Sequence, residues 1–71
     1  MRCKINVDEG NDTASYTTQE APTYKAVFVP VEDGEPSRIV FCVFVPLNGH
    51  DRGKLLYVPF SRVISVAEEK P

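Results

Sequence analysis

Apolar residues in this chain recur at every second position and nowhere keep a helical spacing over ten residues, which removes most folds from consideration at once. Met1, Cys3, Ile5 and Val7 alternate with Arg2, Lys4 and Asn6, the pattern of a strand with one dry and one wet face. The later apolar runs are rich in β-branched and aromatic residues, which fit a pleated surface and lose side-chain freedom in a helix. Tyr24 to Val31 and Arg38 to Val45 read as the second and third strands, Lys54 to Pro59 as the fourth, and Val63 to Ala67 as the fifth. Helix is expected to amount to a turn or two at most.

The connections carry their own signals. Glu32-Asp33-Gly34-Glu35-Pro36-Ser37 places Asp-Gly between two hydrophobic runs, where glycine tolerates positive φ, so the second and third strands are expected to pair antiparallel. Pro46 to Gly53 is a further turn, with Asn48-Gly49 near its start. Pro59 has no amide proton to give to a sheet, so it belongs at an edge or a strand end and introduces a corner through Phe60, Ser61 and Arg62. Residues 8–21 are polar, acidic and almost free of aliphatics, and are expected to form a long mobile loop after the first strand. Glu68-Glu69-Lys70-Pro71 reads as a solvated tail.

These elements predict an all-β fold: a small five-stranded antiparallel meander forming a strongly bent sheet or a partly open barrel of the SH3-like, Sm-like or OB-like kind. The segment from Leu55 to Val66 resembles the last two strands of SH3-like and Sm-like barrels, where a one-turn corner separates them. The resemblance is architectural and confined to that segment. The Sm-type RNA-binding signature is not present, and the chain has no tryptophan for the cluster with which SH3 domains grip proline-rich peptides.

With 71 residues the chain has room for a single domain, 1–71. Ordering it costs on the order of 100 kcal/mol at ~1.5 kcal/mol per residue, which so small a core offsets narrowly. A metal, a disulfide or self-association would help. Cys3, Cys42 and the lone His50 lack the spacing of a tetrahedral zinc site, so no metal and no cofactor are predicted. The stretch from Met1 to Asp8 has no apolar core of a secretory signal, so the expectation is a cytoplasmic protein whose cysteines stay reduced and pack as small hydrophobes. The longest apolar run, Ile39 to Val45 with Pro46 and Leu47, is well short of the ~20 residues a membrane helix needs.

Function is read from surface rather than from motif. Strands two and three are apolar on both faces. If Arg38 points outward, Val40, Cys42 and Phe44 do so too, while Ile39, Phe41, Val43 and Val45 line the core; Lys25 likewise shares an outer face with Val27, Val29 and Val31. A contiguous apolar face on such a chain marks an interface, unless another segment of the chain folds over it. Val29, Val40, Cys42 and Phe44 are the predicted partner-binding anchors.

Catalysis finds little support. His50 and Asp51 are adjacent in a turn and point apart, with no assignable nucleophile. Glu32, Asp33 and Glu35 are accounted for by turn chemistry and solubility, and Asp8, Glu9, Asn11 and Asp12 lack the glycine and distal glutamate of a calcium loop. No phosphate-cradling glycine loop, enzyme activity or small-molecule substrate is predicted. Formal charge is −2, from eight Lys and Arg against ten Asp and Glu, so there is no overall basic field. A local basic and aromatic patch of Arg38, Arg52, Lys54, Arg62 and Tyr57 is the basis of the alternative, a small nucleic-acid-binding barrel. The favoured expectation is a non-enzymatic binding or regulatory module, of the accessory-subunit or phage-modulator type, that docks an apolar β surface or strand edge on a protein partner or a second copy of itself.

Overall fold

The computed structural model describes residues 2–69, so Met1, Lys70 and Pro71, with their expected places in the first strand and the tail, lie outside the described residues. Six strands are formed: β1 (Arg2–Asp8), β2 (Thr13–Thr18), β3 (Thr23–Val29), β4 (Ser37–Phe44), β5 (Leu56–Pro59) and β6 (Val63–Glu69), the last two separated by one 3-10 turn at Phe60–Arg62. Among the described residues they make two three-stranded antiparallel sheets, ordered β2-β1-β6 and β3-β4-β5, rather than the expected single five-stranded meander, and they do not close into a barrel.

The all-β reading and the corner after Pro59 stand, but residues 8–21 are not a loop. Most of them form the hairpin partner of β1, with Cys3 opposite Thr18, Ile5 opposite Tyr16 and Val7 opposite Ala14. Polar residues with high β-propensity suffice here because β2 inherits its dry face from β1. Tyr16 packs its ring 5.3 Å from that of Phe44, and buried Thr18 donates its hydroxyl to the Glu20 carbonyl at 2.6 Å. On the wet face the Ser15 hydroxyl donates to Asn6 Oδ1 at 2.6 Å, and Asn6 Nδ2 donates to Ser65 Oγ at 2.9 Å, a polar ladder across all three strands. The connecting turn is set by the Gly10 amide donating to Asp8 Oδ1 at 2.9 Å, with Gly10 at φ 93° where a Cβ would be strained.

The tail is also shorter than expected, since Glu68 and Glu69 belong to β6 and pair with Cys3 and Arg2. The hairpin predicted from Asp33-Gly34 does form between β3 and β4, but positive φ at glycine occurs at Gly10, Gly49 and Gly53 and not at Gly34. Its seven-residue connection, 30–36, is long enough to turn without that conformation.

The core is small: Cys3, Ile5, Val7, Cys42 and Phe44 are buried, with Tyr16, Leu56, Val58 and Val63 packed against its central cluster. This inverts the expected facing of β4. Cys42 is fully buried and Phe44 is 4% exposed, whereas Ile39 and Val45 are exposed. Arg38, Cys42 and Phe44 do share a face, but the sheet carrying β1 covers that face at one end only. Arg38 is solvated because it lies beyond the overlap, so its charge says nothing about the residues four and six positions on.

Truncating Phe44 to alanine removes the largest buried side chain of the second sheet and should cost about 3–5 kcal/mol, a large part of a small domain's stability, measurable by urea denaturation. Burial pushes the Cys42 thiol above its ordinary 9.0, and burial followed by the charge and hydrogen bond of Glu9 pushes the Tyr16 hydroxyl above 10.0. Both groups hold their protons more tightly folded than unfolded, so their contribution is fully present below pH 9 and lost as the pH rises through their folded values. The urea midpoint should therefore be flat on this account up to about pH 9 and fall above it, with the Cys42→Ala variant losing the earlier part of the alkaline decline.

Candidate protein-docking surface

The β3–β4 hairpin pairs Tyr24 with Cys42, Ala26 with Val40 and Phe28 with Arg38 on one face, and Lys25 with Phe41 and Val27 with Ile39 on the other. The first face continues the interior surface that Cys42 and Phe44 bury, but runs out past the end of the other sheet. There Phe28 is 66%, Tyr24 52% and the neighbouring Phe60 51% exposed. Tyr24 and Phe60 meet edge to face with centroids 5.6 Å apart, and together with half-buried Val40 they line a shallow apolar hollow. A second hollow extends it along Arg38, Ile39, Pro59 and Ser61. The Tyr24 hydroxyl is pushed above its ordinary value by burial first and then by the neighbouring thiols of Cys42 and Cys3, consistent with a ring lying at the mouth of the core.

The opposite face carries exposed Val27, Val29 and Ile39. Phe41 and Tyr57 pack edge to face at 6.2 Å, and Lys25 Nζ lies 5.9 Å from the centroid of the Tyr57 ring. Every residue of β3 is exposed, although five of the seven are apolar or aromatic.

The shape follows from this. The molecule measures 49 × 26 × 20 Å with a radius of gyration of 13.8 Å, where a compact chain of this length has about 11 Å. Its accessible surface is 5405 Å², against about 4,400 Å² for a typical folded monomer of this mass. The surface is thus about 1,000 Å² larger than that of a compact monomer, in keeping with the elongated shape, and exposed apolar side chains of the hairpin are part of it.

The sequence-predicted anchors separate under this geometry. Val40 lines the hollow and Val29 lies exposed on the reverse face, while Cys42 and Phe44 are interior residues and present no surface. Tyr24, Phe28 and Phe60 are the exposed side chains that sequence reasoning did not count as anchors. Lys25 does share a face with Val27 and Val29, as expected, and Phe28 lies on the face of Cys42 and Val40, but the whole of β3 is solvated.

The proposed basic patch is dispersed. Arg38 shares its face with Phe28, Tyr57 lies on the opposite face of the same sheet, Arg62 sits in the 3-10 turn, and Arg52 and Lys54 belong to the β4–β5 connection. Lys54 stands 4.0 Å from Asp51, and the Tyr57 ring already carries Lys25. His50 is exposed in that same connection. Among the described residues no three His, Cys, Asp or Glu side chains are grouped to hold a metal ion, and no helix is long and apolar enough to cross a membrane. Cys3 and Cys42 are free and buried.

Comparison of the chain with protein-family models, with curated proteins and with solved structures finds no match in any of the three.

Proposed function

We propose that the protein is a non-enzymatic binding module whose working surface is the β3–β4 hairpin, docked by its apolar side chains onto another protein surface. The observation that carries this reading is the pair of exposed rings Tyr24 and Phe28 on the core-side face of β3, beside the hollow that Tyr24, half-buried Val40 and Phe60 line beyond the sheet that covers the core. Apolar aromatic groups held on a rigid hairpin lose little freedom on binding, which is why such residues dominate interface energetics. The order β5, 3-10 turn, β6 is the feature in which the chain is similar to SH3-like barrels, and we read the architecture as an open version of that class with the hairpin left free. A regulatory or accessory role in the cytoplasm fits two buried cysteines that remain unpaired.

The double substitution Tyr24→Ser with Phe28→Ser tests the surface. Because both side chains are more than half exposed, the variant should melt within a few degrees of the wild type. It should bind at least tenfold more weakly to whatever the wild type binds, whether a second copy followed by sedimentation velocity or a captured and purified partner followed by calorimetry. An unfolded variant would place these residues in the core, and unchanged association would move the working surface elsewhere.

A further inference from the structure

Resting on that docking reading, we infer that the occupant of the hairpin is a second copy of the same chain, joined through the free edge of β3 by antiparallel pairing about a two-fold axis at Ala26. Each three-stranded sheet has two edges, and three of the four resulting edge strands are guarded. The outer edge of β2 is stapled by the 46–48 segment: the Leu47 amide donates to the Thr17 carbonyl at 2.7 Å, the Thr17 amide to Asn48 Oδ1 at 2.8 Å, and Asn48 Nδ2 to the Ser15 carbonyl at 3.3 Å. β6 is interrupted by a register shift opposite Asn6 and Val7, and it ends in Glu68 and Glu69. β5 has four residues and closes on Pro59. These are the devices by which proteins prevent edge pairing.

β3 carries none of them. It has seven residues, Thr-Tyr-Lys-Ala-Val-Phe-Val, with no proline, no glycine and no register shift, and among the described residues it pairs only with β4. Its one charge, Lys25, leans across β4 to lie over Tyr57 and so points away from the open edge. Ala26 is the midpoint of the strand. Pairing two copies there sets Tyr24 of each opposite Phe28 of the other on one face, giving two cross-strand aromatic pairs flanking a small residue on the axis. A continuous six-stranded sheet results, and its partners satisfy the outward backbone groups that β3 leaves open.

The experiment is a charge swap at the axis, with mass read by light scattering after size exclusion. Wild type should run as a dimer of the 7.9 kDa chain. Ala26 is exposed, so Ala26→Lys and Ala26→Glu should each fold by circular dichroism, and each alone should be monomeric with a dimer dissociation constant raised at least tenfold. Mixed in equal amounts, the two should recover the dimer. A wild type that stays monomeric at several hundred micromolar, single variants that dimerise like the wild type, or a mixture that fails to recover would each overturn the pairing. A monomeric wild type whose purified partner is still lost on Tyr24→Ser with Phe28→Ser would overturn the second copy while leaving the docking surface intact.

Discussion

Two side chains from one sheet meeting two from the other hold this molecule together. Ile5 and Val7 of β1 face Cys42 and Phe44 of β4, and the half-buried residues around them close the cluster. In so short a chain that contact has to do most of what a larger core does, and its position at one end of β4 decides where everything else can be dry. The hairpin's outer half is exposed because nothing from the first sheet extends far enough to meet it. The same contact explains why β2 can be polar: once Phe44 is in place, the Tyr16 ring has a surface to pack on and the rest of the strand needs only hydrogen-bonding neighbours.

The covalent path reinforces this junction. Pro46 is fully buried and bridges to Thr18 of β2, tying the end of β4 to the far side of the first sheet, while the 3-10 turn delivers the chain from β5 directly to β6 beside β1. The chain itself changes sheet at residues 19–22 and again at the 3-10 turn beside Phe41, and the Pro46–Thr18 bridge adds a backbone tie at the Phe44 end of β4.

Much of the fold was legible in the sequence. β1, the β3–β4 hairpin and the corner after Pro59 are written in two-residue alternation and proline chemistry that depend only on local sequence. β2 was hidden because its alternation of Ala14, Tyr16 and Thr18 with Thr13, Ser15 and Thr17 is nearly as polar inside as outside, and its inward face becomes dry only by pairing with β1. The facing of β4 is hidden for a related reason: one exposed arginine does not set the facing of a whole strand when cover by a second sheet ends midway along it. Of the exposed apolar face, the excess of apolar residues on β3 and β4 is evident from the sequence, and Val40 lies among the anchors it predicts. The residues that display it, Tyr24, Phe28 and Phe60, are defined by where the other sheet stops, which no periodicity records.

The staple on β2 withdraws one edge of the first sheet from strand-to-strand pairing. A sheet protein with two open edges can add copies indefinitely, and the product is a fibre. Here Pro46, Leu47 and Asn48 occupy the backbone groups that a stacking neighbour of β2 would need, so that edge of the first sheet takes up no further strand. The β4–β5 connection thus closes the β2 side of one sheet while β3 stays bare on the other, so the two sheets differ in how open their edges are.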